Sequence, residues 1–193
     1  MFDFSRVIER RGTHASKWDN IAKLSGIKAP DALPMWVADM DFAAPPGVTT
    51  ALAAEVERAT HGYYADTGSW AAALADWMAR RHGLKIDPAW VSPTPGIVSG
   101  LGLILQAVTA PGDEVVVFPP AYHAFRKIIL ANDRRIVDAQ LVLSNGRYAM
   151  DLEALRRKLT PRTKVVFFCS PHNPGGTVWS AGEIRELANF CNT

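Results

Sequence analysis

The chain has 193 residues, is 48% hydrophobic and carries a formal net charge of +2. That size and apolar content suit one globular domain with a sizeable core. Both charge signs are spread along the chain, which argues against a nucleic-acid tract, and no apolar run approaches the ~20 residues of a membrane span. The opening residues, Phe2-Asp3-Phe4-Ser5-Arg6, mix apolar and charged side chains, so no secretory leader is expected. Cys169 and Cys191 are the only cysteines. A disulfide scaffold is not expected, a reducing cytoplasm is, and Cys169 reads as a buried thiol.

In chain order, residues 1–34 are polar and irregular and read as an extended arm with room for one short helix. Met35 to Phe42 reads as a short extended segment stopped by Pro45-Pro46. The spacing of Val48, Leu52 and Val56 predicts a helix over 47–60, ended by His61-Gly62-Tyr63-Tyr64. A second amphipathic helix is predicted over 69–82. Trp70, Leu74, Trp77 and Met78 face inward, and Gly83 follows as the capping residue.

From residue 89 the rhythm becomes strand–helix–strand. Strands are predicted at 89–91, 115–118, 135–137 and 165–169. Helices are predicted at 97–109, 122–131, 151–159 and 181–191, the last capped by Ser180. This alternation argues for a mainly parallel sheet covered by helices.

Three predicted strand ends carry chemistry. After Val91 comes Ser92-Pro93-Thr94-Pro95-Gly96-Ile97-Val98, with Pro95 near the first helical position. The amides of Gly96, Ile97 and Val98 at a helix start suit an anion such as a phosphate. The plainer alternative is an ordinary helix start. After Phe118, Pro119-Pro120 stop the strand and present Tyr122, whose ring could stack on a heteroaromatic group or simply pack in the core. His123 is given no role and Phe125 reads as packing. After Cys169, the run Ser170-Pro171-His172-Asn173-Pro174-Gly175-Gly176 forces an abrupt loop. It puts Asn173 where open α/β sheets bind ligands, able to donate to an oxyanion. The alternative is a turn that needs Pro and Gly for geometry alone.

A phosphate cradle, a stacking ring and an oxyanion donor in that order resemble the N-terminal half of a fold-type I enzyme dependent on pyridoxal 5'-phosphate (PLP), in the class I/II aminotransferase superfamily. Within it the likeness is to the MalY/PatB group of carbon–sulfur β-lyases, the cystathionine β-lyase type. Met35-Trp36-Val37-Ala38-Asp39-Met40-Asp41-Phe42 is close to a hallmark of that group. His61-Gly62-Tyr63, Pro111-Gly112-Asp113-Glu114-Val115 and Pro120-Ala121-Tyr122 follow in the family's order.

The resemblance implies a function: cleavage of cystathionine or cysteine conjugates to a thiol, pyruvate and ammonia, with aminotransfer as the alternative. It implies that Gly96, Ile97 and Val98 hold the PLP phosphate, Tyr122 stacks on its ring, and Asn173 bonds its phenolic oxygen. Val37 and Ala38 would line the position of the substrate carboxylate. Tyr63 would reach the phosphate in a neighbouring subunit's site, which implies a homodimer. Asp39 and Asp41 read as structural, making turn or arm contacts. No metal is expected. Residues 1–45 would form an N-terminal arm and small-domain segment, and 46–193 the N-terminal part of an incomplete PLP-binding large domain. The family's Schiff-base lysine lies beyond the Asn-Pro loop. Lys158 and Lys164 fit ordinary surface positions, so these 193 residues alone are expected to be an inactive fragment.

Overall fold

The computed structural model describes residues 3–63, 65 and 68–192, so Tyr64 lies outside the described residues. The chain forms two compact units, Met1–Thr67 and Gly68–Thr193.

In the first unit the arm holds two short helices, α1 (Ser16–Asp19) and α2 (Ile21–Ser25), where one was expected. Gly26 closes α2 at φ 74°, a conformation that favours glycine. Met35 to Phe42, expected to be extended, forms no strand and bends at Trp36-Val37 and again at Phe42. Helix α3 (Pro46–Glu57) opens on Pro46, whose missing N–H costs nothing at a helix start. Its predicted apolar row, Val48, Leu52 and Val56, is exposed by 50, 63 and 69%, so the row stays largely uncovered among the described residues.

The second unit opens with α4 (Ser69–His82), and Gly83 at φ 64° caps it as expected. The inward face predicted for α4 is corrected: only Ala71 is buried, and Leu74 and Trp77 are exposed. The strand predicted at 89–91 is also corrected. Pro88–Trp90 is a 3₁₀ turn, because Pro88 sits at its start and the Asp87 carboxylate accepts from the Ala89 amide.

The remaining elements alternate. They are α5 (Ile97–Val108), β1 (Glu114–Val117), α6 (His123–Ala131), β2 (Arg135–Asp138), β3 (Val142–Ser144), β4 (Arg147–Ala149), α7 (Leu152–Arg156), β5 (Thr163–Val166) and α8 (Ala181–Cys191). Strands β2, β1 and β5 form a parallel sheet in that order, with β1 central. Side chains alternate across β1. Val115 and Val117 pack with Leu105, Ile129 and Phe167 on one face; Val116 and Phe118 pack with Leu155, Leu187 and Phe190 on the other. Cover on both faces explains the unbroken apolar run of β1. Each fully buried valine there contributes about 1.5–3 kcal/mol of transfer free energy. The fold is the expected mainly parallel sheet covered by helices.

A buried guanidinium fixes α5 against this sheet. Arg134, 7% exposed, donates to the Thr109 carbonyl at 2.7 Å, to Thr109 Oγ1 at 2.8 Å and to the Leu105 carbonyl at 3.3 Å. These groups lie at the carboxyl end of α5, where a cation also meets the negative end of the helix dipole. The antiparallel hairpin β3–β4 was not anticipated. Asn145 and Gly146 both take positive φ, 50° and 75°, as a tight two-residue hairpin turn requires.

Candidate functional site

Strands β1 and β5 are parallel, so the loops leaving their carboxyl ends emerge at the same edge of the sheet. One carries Tyr122 and the other Asn173. They are joined directly. Ala121 and Pro174 form an isolated antiparallel bridge, and the His172 ring nitrogen Nε2 donates to the Pro120 carbonyl at 2.8 Å. His172 is only 4% exposed. Its backbone closes the loop on itself: the His172 amide donates to the Thr177 carbonyl at 2.7 Å, and the Gly176 amide to the His172 carbonyl at 2.6 Å. Asn173, next in sequence, stands exposed at the rim.

The Asn173 loop is held from behind as well. Buried Trp179 donates from its indole N–H to the Cys169 carbonyl at 2.9 Å, and its ring meets the His172 ring edge-on at 5.8 Å. Hairpin β3–β4 presses on Gly175, where a Cβ would lie 2.7 Å from the Tyr148 ring. Only glycine lets the loop backbone approach the Tyr148 ring so closely. Arg147 of the hairpin forks onto Glu183 of α8 at 2.7 and 2.8 Å and lies over the Trp179 ring. The Arg147 guanidinium, with the Ser180 amide and hydroxyl behind it, pulls the Glu183 carboxyl down to about 2. His172, Tyr148 and Trp179 were missed as supports. The Asn145-Gly146 pair was the signal that could have revealed the hairpin.

Tyr122 is the residue before α6 and is half-buried. Its ring meets Phe125 edge-on at 5.6 Å and His123 at 4.9 Å. Phe125 in turn packs on Phe167 at 5.3 Å, as its reading as a packing residue implies.

The Gly96 region follows the 3₁₀ turn rather than a sheet strand. Pro95 is displaced too: Gly96 is the cap and Ile97 the first helical residue. Gly96 takes φ 91° and ψ 148°, a region open essentially to glycine alone. A Cβ built on it would meet nothing within 4 Å, so the space over the helix start is open. No side chain caps α5. The Gly96 amide turns back to the Thr94 carbonyl at 2.7 Å, leaving the amides of Ile97, Val98 and Ser99 as the free donors of the first turn. Arg134 anchors the other end of α5 at the amino edge of the sheet. Twelve residues of helix span roughly 18 Å, so Gly96 lies about that far from the end of α5 that Arg134 holds.

This donor set fits an anionic phosphate at the α5 start and an aromatic ring with an oxyanion at the joined loops. In the first unit, Val37 and Ala38 are exposed, and Tyr63 is fully exposed. Asp39 and Asp41 bind the arm residues Arg10 and Lys17, the arm contacts expected of them. Cys169 is half-buried rather than buried, and both cysteines are free. Among the described residues, no helix is long and apolar enough to cross a membrane.

Known proteins resemble this chain along nearly its whole length. Cystathionine beta-lyase PatB of Bacillus subtilis is 40% identical over 190 residues, covering 98% of this chain and 49% of the relative. Protein MalY of Escherichia coli is 33% identical over 193 residues, covering 99% of this chain and 49% of the relative. The crystal structure of cystalysin from Treponema denticola, which contains a pyridoxal 5'-phosphate cofactor, superposes with a TM-score of 0.89 at 29% identity. It covers 98% of this chain and 48% of that one. The chain thus spans about half the length of the curated relatives it matches. The model of the family described as aminotransferase class I and II matches residues 37–193, and the chain belongs to that family.

Proposed function

We propose that these residues form the N-terminal half of a PLP-dependent carbon–sulfur β-lyase acting on cystathionine or cysteine conjugates. The observation that carries the reading is the joining of the Tyr122 and Asn173 loops at one sheet edge. Ile97 and Val98 would bind the phosphate through free amides, and Gly96 supplies the backbone turn that exposes them. Tyr122 would pack on the pyridine ring, and Asn173 would donate to its phenolic oxygen. PLP, when bound, supplies the electron sink that makes the substrate's α-proton removable. The chain's own part is to hold that ring still and to fix the negative charge at both of its ends.

Val37 and Ala38 are proposed to line the substrate carboxylate through their backbones. Among the described residues neither backbone has a hydrogen-bond partner, so both remain available to a ligand. Tyr63 is proposed to act in the site of a second copy of the chain. The apolar row of α3, open to solvent, supports a homodimer that would cover it. Residues 1–45 are proposed as the arm and small-domain segment, and 46–193 as part of the cofactor-binding large domain. Two free cysteines support a reducing cytoplasm as the location.

Aminotransfer on the same scaffold is the second reading. The Trp36-to-Phe42 segment and the names of the lyase relatives favour elimination. Lys158 donates to the Asp138 carbonyl at 2.6 Å and Lys164 is exposed on β5, so neither supplies a Schiff base beside Asn173. Residues 1–193 alone are therefore proposed to be inactive. The test is pyruvate release from L-cystathionine with PLP present. A protein of the relatives' full length carrying these residues should release it, and residues 1–193 should not exceed free PLP. Amino-group transfer to a 2-keto acid without pyruvate release would favour the second reading.

A further inference from the structure

The segment proposed to face the substrate carboxylate is held by no secondary structure. It is held by side chains from the arm. On one side of Val37-Ala38, the Trp36 indole donates to the Lys17 carbonyl at 3.3 Å. On the other, the Lys17 ammonium donates to the Asp39 carbonyl and to Asp41 Oδ2, both at 2.7 Å. Arg10 forks across Asp39 and Asp41 at 2.8 Å each and reaches the Met40 carbonyl at 3.2 Å. The Trp18 indole completes Asp41 at 2.8 Å. The bonds thus bracket Val37-Ala38 on both sides and leave its own backbone groups free. Lys17, Asp39, Met40 and Asp41 border a shallow hollow of about 310 Å³ that Val37 and Ala38 also line.

The charges of the clasp balance, with two cations against two carboxylates. Two bare aspartates beside a carboxylate-binding segment would repel the substrate. Pairing them removes that repulsion while their oxygens keep their hold on the arm.

We propose that Arg10, Lys17 and Asp41 are positioning residues that fix Val37 and Ala38 for the substrate carboxylate, so that they set substrate affinity rather than turnover. The inference rests on the reading of Val37 and Ala38 given above.

The test uses the full-length protein loaded with PLP and L-cystathionine as substrate, with Lys17→Met and Asp41→Asn compared. The two variants change the local charge in opposite senses. Positioning predicts that both raise KM, by about tenfold for each lost charge-assisted bond, with kcat and the absorbance of bound PLP unchanged. KM moving in opposite directions would reveal a simple field effect and overturn the proposal, as would an unchanged KM in both. If either variant fails to fold by thermal melt, Arg10→Lys keeps the charge and loses the fork, and it should raise KM alone. Ala38→Pro, which deletes one amide, tests the underlying reading separately. An unchanged KM there removes that reading, whereas a raised KM there with unchanged clasp variants removes the clasp alone.

Discussion

His172 Nε2 and the Pro120 carbonyl oxygen lie 2.8 Å apart, and this bond joins the loop of Asn173 to the loop of Tyr122. The bond is shielded from water, since His172 is 4% exposed. Leucine in its place would leave the Pro120 carbonyl without its donor and weaken the joint between the two loops, which would keep the Ala121–Pro174 bridge. His172→Leu is expected to weaken PLP binding roughly three- to tenfold, the worth of one neutral hydrogen bond. His172→Gln, whose amide can still donate, should recover part of that loss. Fluorescence titration of PLP against the full-length protein measures both. Equal affinity in the leucine variant would show that the loops hold their places without the histidine.

Gly96 should tolerate no side chain, although there is room for one. The obstacle is its φ of 91° rather than a clash. Gly96→Ala is expected to cost about 1–3 kcal/mol of backbone strain or to turn the first amides of α5 away from the phosphate. A competition between PLP and pyridoxal, which lacks the phosphate, checks this. The variant should lose affinity for PLP and change little toward pyridoxal.

The Glu183–Arg147 pair makes acid stability a readout of the hairpin. The Glu183 carboxyl is held at about 2 in the folded chain against an ordinary 4.5, by the Arg147 guanidinium first and then by Ser180. A depressed carboxylate stabilises the fold above its unfolded value and loses that contribution as pH falls through the folded one. Glu183→Gln should therefore melt lower than the wild type at pH 7, with the gap closing between about pH 4.5 and about pH 2. A gap independent of pH would assign the loss to packing instead.

Much of this architecture was legible in the residues, and the failures have physical causes. A continuous apolar run located β1 to within one residue and the Ser180 cap located α8 to the residue, whereas the strand expected at 165–169 ends at Val166 and starts at Thr163. The Ala89-Trp90-Val91 strand failed because Pro88 and the Asp87 cap impose a local turn that the apolar pattern does not encode. The inward face of α4 and the row on α3 failed differently. Periodicity reports that a face is apolar, not whether the partner that covers it lies within the chain. The loops of Asn173 and Tyr122 and the start of α5 were readable as breaks in the chain because prolines and glycines mark them, and their roles toward PLP are proposals. His172 was not, since its role depends on a carbonyl 52 positions away that only the folded chain brings near.

Arg134 reports on the sheet rather than the site. Its guanidinium is the donor to the Thr109 carbonyl just past α5, and methionine would leave that carbonyl without one, while the Leu105 carbonyl would keep the Thr109 amide. Arg134→Met is expected to destabilise the protein by about 2–3 kcal/mol. Urea unfolding should show a lower midpoint with an unchanged slope. A midpoint equal to wild type would mean that water reaches the end of α5.

The central claim is that this chain carries the donor to the phenolic oxygen of PLP, and Asn173 tests it most directly. The measurement is the visible absorbance of bound PLP against pH, in the full-length protein and in Asn173→Ala. Loss of one hydrogen bond to a charged oxygen, worth roughly 1.5–3 kcal/mol, should raise the midpoint of the titration by about one to two pH units and weaken PLP binding in parallel. Superimposable titrations with equal PLP affinity would contradict the assignment and, with it, the placing of the cofactor at the joined loops.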